Sequence, residues 1–184
     1  MKISYNAPVI LSFAIISTIV LGLSLSLPDN FGNWFVSPAT FHFQDLSFYT
    51  GILFHPLAHA DWNHLLGNFS IILLIGPILE EKYGSRDLIF MILVTAIITG
   101  LLNAALFDTG GIGASGVVFM MILLGSFVNV QSGKIPLTFI LVMLLFLGKE
   151  IYNGLVSDDN ISQFAHILGG LCGGAFGFLI ERKK

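Results

Sequence analysis

The chain has 184 residues, of which 55% are apolar or aromatic and only 10% charged, with a formal net charge of −3. A soluble domain carries about 25% charged residues, and a mean hydropathy of +0.88 leaves too little polar surface to cover a water-soluble globule. The same figures exclude disordered, collagenous and disulfide-rich secreted chains, and a basic nucleic-acid binder is excluded because no Lys/Arg run exceeds three residues. The single Cys172 cannot form an internal disulfide. What remains is an integral, all-α membrane protein, with room for six helices at ~20 residues per span.

Six apolar runs are read in chain order, roughly Pro8–Leu27, Trp62–Leu79, Leu88–Phe107, Gly113–Val130, Ile135–Leu147 and Ile161–Ile180. The first, third, fourth and sixth are long enough to cross a hydrocarbon layer of ~30 Å. The second and fifth are short. The first run follows Lys2 and invites a signal-peptide reading, but it is long for an h-region and no clean small-x-small site follows it. The runs are continuous rather than alternating, which argues against a β-barrel.

Between the first two runs lies loop 1, about Pro28 to Asp61, with no Lys or Arg but with Phe31, Trp34, Phe35, Phe41, Phe43, Phe48 and Tyr49. That composition suits a segment lying in the membrane interface. With six spans, seven of the eight Lys/Arg fall on the side that carries both termini, and only Lys149 does not. The opposite side carries Asp29, Asp45, Asp61, Asp108, Glu150, Asp158 and Asp159. The positive-inside rule therefore predicts cytoplasmic termini. A bacterial plasma membrane is the expected location.

Ionisable and polar groups inside spans are costly, and each is a functional candidate. His64 and Asn68 are four apart and share a face of the second helix. The fourth span opens with Gly113-Ala114-Ser115-Gly116. The sixth carries His166, with Gly169 and Gly173 on the same face at i+3 and i+7. Helices 2, 4 and 6 run in one direction across the membrane. These polar groups lie within about the first seven residues of those helices, so at ~1.5 Å rise per residue they share one depth. The glycines allow close helix approach, which a serine hydroxyl needs if it is to pass its proton to an imidazole. Helix 5 lacks such a pattern and is expected to pack more loosely.

The chemistry that fits is acyl transfer. Ser115 attacks a carbonyl, and His166 accepts its proton and later returns it to the leaving amine. His64, Asn68 and the Ser115 backbone N–H are candidate donors to the oxyanion. No Asp or Glu lies in the apolar run around His166, so a Ser–His dyad without a carboxylate is expected. Only a neutral imidazole can act as base, so activity is expected to rise as His166 loses its proton. His55 and His59 read as braces of loop 1, and His42 as a loop residue. His59 and His64 are five apart and no Cys or Glu joins them, which speaks against a metal site. Cys172 reads as packing.

These residues resemble the rhomboid family of intramembrane serine proteases. Gly113-Ala114-Ser115-Gly116 is similar to its Gly-x-Ser-Gly motif, and His64 to Asn68 to its His-x-x-x-Asn element, with His55 and His59 upstream. Ala165-His166-Ile167-Leu168-Gly169, then Gly173, resembles the base-bearing last helix, and Glu80 to Gly84 a Glu-x-x-x-Gly turn. Together they span His55 to Gly174. The resemblance implies a single six-helix domain over residues 1–184, Ser115 as nucleophile and His166 as base. It places His64, Asn68 and backbone N–H groups, with Gly113 beside them, at the oxyanion. Transmembrane proteins are the implied substrates within the lipid bilayer, without cofactor, metal or nucleic acid. Two departures stand out. Arg86 and Arg182 are the only arginines, so loop 1 lacks the family's Trp-Arg pair, and Phe119 stands where Tyr is common. Two other readings stay open: a transporter with a histidine proton relay, which would want acidic groups in the spans, and a catalytically dead relative that binds membrane clients.

Overall fold

The computed structural model describes residues 4–27, 31–127, 134–135, 137–156 and 160–181. The described residues form seven α-helices and no strand: α1 (Pro8–Ser26), α2 (Leu46–Phe54), α3 (Trp62–Tyr83), α4 (Ser85–Leu106), α5 (Ser115–Gly125), α6 (Leu137–Val156) and α7 (Asn160–Glu181). Each of the six apolar runs corresponds to a helix. The seventh, α2, lies inside loop 1, flanked by 3-10 turns at Gly32–Phe35 and His55–Leu57. Four helices contain stretches long and apolar enough to cross a membrane: α1, α3, α4 and residues Gln163–Ile180 of α7. The chain is a multi-pass membrane helical bundle.

Helix boundaries moved where local chemistry overrides hydropathy. The second run extends four residues past Leu79, to Tyr83, and stops at Gly84, whose φ of 82° suits glycine. The fourth run, read as long enough to span, gives a helix of 11 residues: α5 begins only at Ser115, because Gly113 has φ 119°, and ends at Gly125, short of a full crossing. The fifth run is longer than its apolar core, reaching Val156. Asp158 and Asp159, read as loop charges, lie outside the described residues.

The core is built by close approach, since lipid tails give no hydrophobic drive for helices to associate. Helices α5 and α7 form the tightest seam. A Cβ on Gly169 would strike the Gly116 carbonyl, and one on Gly173 the Met120 carbonyl. Helix α1 leans on α3, with Ile10 filling the notch at Gly76 and Phe13 meeting Phe69 edge-on at 5.1 Å. Helix α6 docks through Phe139, which packs on Phe127 and Phe178.

Buried charge fixes the end of the bundle where α3 turns into α4. Glu80 is 5% exposed. Its carboxylate accepts the Val9 and Ile10 N–H groups at 3.0 and 3.1 Å, and the Ser85 hydroxyl at 2.6 Å. Two orphan donors of the first turn of α1 are thereby satisfied, with a negative charge at the positive end of the helix. On the same turn, Lys82 Nζ donates to the Phe127 carbonyl at 2.6 Å, just past the end of α5.

Candidate active site

The opposite end of the bundle holds a cavity of about 480 Å³. Ser115, His166, His64, Asn68 and Gly113 all line it, contributed by the starts of α3, α5 and α7 and the loop before α5. Three polar sites far apart in sequence thus line one cavity.

Each is held by a local device. Asp61 caps α3, its carboxylate accepting the His64 backbone N–H at 2.8 Å, which sets where the first turn begins. Gly113 leaves room for the His64 ring: a Cβ there would lie 2.7 Å from Cε1 and Nε2 and 3.8 Å from the Asn68 amide nitrogen. The Gly113 N–H donates to the His55 carbonyl at 3.1 Å, so Gly113 offers space to the site and not a donor. Ser115 is the first residue of α5, and no side chain caps that end. Its N–H therefore has no intrahelical partner. Phe119, one turn on, lies flat on His166 with ring centroids 4.3 Å apart and planes 6° from parallel. The phenyl ring thus supplies a stacking contact without the hydroxyl of a tyrosine.

Asn68 is buried, and its Nδ2 has no hydrogen-bond partner among the described residues. An unpaired buried amide is costly unless something else is meant to meet it. His59 is 4% exposed, with its ring edge-on to His64 at 5.0 Å and near Phe69 at 5.8 Å. Burial, and then the neighbouring His64, lower its pKa to about 4. His55 is also pushed down to about 4 by burial, against the opposing pull of the Gly51 and Ile52 carbonyls. Neutral His55 donates from Nδ1 toward those carbonyls, at 3.1 and 3.2 Å, and its Nε2 faces the Thr99 hydroxyl at 3.3 Å.

The missing Trp-Arg pair has a substitute. Ser37 and Gly111 pair in both directions, the Ser37 N–H to the Gly111 carbonyl at 2.8 Å and the Gly111 N–H to the Ser37 hydroxyl at 2.9 Å. Asn103 Nδ2 donates to the Pro38 and Thr109 carbonyls at 3.1 and 2.9 Å. Val36 packs so close to Gly51 and Gly110 that neither could carry a side chain. Loop 1 is thus tied by backbone to the segment that presents Ser115. Ser37, Thr99 and Asn103 also line the cavity and were missed in the sequence. The available signal was Thr95, Thr99 and Asn103 at i, i+4 and i+8 in an otherwise apolar run, which is one buried polar stripe of α4.

The rhomboid domain family matches residues 47–183. The chain belongs to the rhomboid family. Its relatives include the rhomboid protease GlpG of Haemophilus influenzae, 26% identical over 133 residues that make up 71% of this chain and 69% of that protein. Rhomboid-related protein 1 of Caenorhabditis elegans is 33% identical over 66% of this chain but only 37% of its own length. The chloroplastic rhomboid-like protein 11 of Arabidopsis thaliana is 22% identical over 89% of this chain and 64% of its own. This rhomboid chain therefore spans less than two thirds of the plant relative and little more than a third of the nematode one.

Proposed function

We propose that this rhomboid chain is an intramembrane serine endopeptidase that cuts peptide bonds in or beside the transmembrane segments of other proteins. The observation that carries the reading is the single cavity lined by Ser115, His166, His64 and Asn68, whose buried amide nitrogen has no partner among the described residues. The Ser115 hydroxyl attacks the scissile carbonyl carbon while His166 takes its proton. The oxyanion that forms accepts hydrogen bonds from the Ser115 N–H, Asn68 Nδ2 and the His64 ring. Collapse of the intermediate expels the amine, which leaves with the proton held by His166. Water then attacks the acyl-enzyme with His166 again as base. No cofactor enters this sequence.

The substrate is cut near the end of the bundle away from the Glu80 turn. Lys82 and Arg86 lie at that turn, and the positive-inside rule assigns it to the cytoplasm, so cleavage falls toward the extracytoplasmic side. Residues 1–184 act as one domain, since α1, which precedes the family match, packs into the same core as α3.

A fluorophosphonate probe and a library of single-span substrates test the reading. Wild type is expected to be labelled and to cleave, and Ser115→Ala to do neither while keeping its thermal unfolding profile. Labelling that survives Ser115→Ala, or no cleavage by wild type in liposomes, would refute it and favour a client-binding relative.

A further inference from the structure

A second cavity, of about 410 Å³, runs between α1 and α4 on the outside of the bundle, away from Ser115. Phe13 and Ile16 form one wall, Ile89 and Leu93 the other, and Phe54 and Leu57 of loop 1 close its top. From Pro8 to Ile16 α1 rises eight steps, or ~12 Å at 1.5 Å per residue. That is most of one leaflet, half of a ~30 Å hydrocarbon layer. The slot therefore begins at one membrane surface and ends near mid-depth. Ile16 and Ile89 are both 46% exposed, so the slot opens sideways to the bilayer.

At its surface end the slot shares Pro8 and Ser85 with a more polar recess of about 500 Å³ that Asn6, Glu80 and Glu81 also line. An apolar slot one leaflet deep that continues into a polar recess at the surface has the outline of a single phospholipid. The charges narrow the headgroup. Both Glu80 oxygens are occupied within the protein, but Glu81, which also lines the recess, is exposed. A free carboxylate at the mouth of an apolar slot complements an ammonium. It repels an anionic glycerol headgroup, and gives the N–H-less choline no hydrogen bond.

We propose that this groove binds one phospholipid with a primary ammonium headgroup, its acyl chain between α1 and α4 and its ammonium on Glu81. The test is thermal unfolding of the purified full chain in detergent, with added phosphatidylethanolamine, phosphatidylglycerol or phosphatidylcholine of matched chains, alongside native mass spectrometry of lipid adducts. Phosphatidylethanolamine is expected to raise the unfolding temperature by ~3 °C more than the other two. Glu81→Gln removes that difference but keeps a common shift, and Ile89→Trp, which fills the slot, removes the shift for all three lipids. Equal shifts on wild type, a preference that survives Glu81→Gln, or full shifts in Ile89→Trp would overturn the proposal. So would a dimer that Ile89→Trp dissolves, which would assign the groove to a second copy of the chain.

Discussion

Asn68 keeps its amide nitrogen buried and unsatisfied, a cost the folded state carries without return in the absence of substrate. Removing the amide therefore separates folding from catalysis. Asn68→Ala is expected to leave the unfolding temperature within a few degrees of wild type while lowering kcat ~10²-fold, since the proposed role, one oxyanion donor, is worth about that. Steady-state kinetics with a calorimetric control checks both halves. His55 and His59 make the opposite kind of prediction. In the fold both stay neutral down to about pH 4, whereas the unfolded chain takes protons near 6.5. The unfolded state thus binds more protons as pH falls. The contribution of these two imidazoles is full above about 6.5, declines between 6.5 and 4, and changes no further below that. The loss is at most about 3 kcal/mol per imidazole. His59→Phe, which fits a site where the ring nitrogens meet no well-aligned partner, is expected to flatten that acid limb in unfolding measured against pH.

At the scale of elements, the seam between α5 and α7 decides whether the proposed nucleophile and base meet. Gly169 and Gly173 face the carbonyls of Gly116 and Met120, and backbone cannot give way as a side chain can. Gly169→Ala is expected to force the helices apart, costing ~2–3 kcal/mol of stability and lowering activity beyond the stability loss, because Ser115 and His166 ride on the two separated helices. Gly174→Ala is the control: there a Cβ would meet Phe139 at an ordinary 3.6 Å, and both stability and cleavage are expected to stay near wild type. Activity per folded molecule, measured at a temperature where all variants are folded, separates the two effects. The order and direction of these helices were legible in the sequence. The exact start of α5 was not, because hydropathy treats Gly113 as one more apolar residue, whereas its backbone sits at φ 119°.

For the molecule as a whole, the two ends do different jobs. One end opens as the cavity, and the other is locked by Glu80, which joins the α3–α4 turn to α1. Glu80→Ala would leave two N–H groups of α1 without their acceptor inside the protein. It is expected to lower stability by ~2–4 kcal/mol while kcat, read at a temperature where the variant is folded, stays within a factor of a few. A fall in kcat as large as that of Asn68→Ala would show the lock reaching the site.

The sequence by itself determined the class and the six apolar helices, and it singled out the Ser, His and Asn residues that the fold brings to one cavity. Apolar length dictates a span, and a Ser, a His or an Asn stands out against an apolar background wherever it falls. Loop 1 was legible only as aromatic and interfacial. Its anchoring through Ser37, Gly111 and Asn103 depends on partners 65 to 74 residues away, and no local pattern encodes such pairing. Tertiary structure alone decided that Gly113 contributes room and not a donor, that Phe119 lies flat on His166, and that the Asn68 amide nitrogen meets no partner among the described residues. Each is a statement about which atoms fill the space around a side chain, and that is settled by how the helices pack.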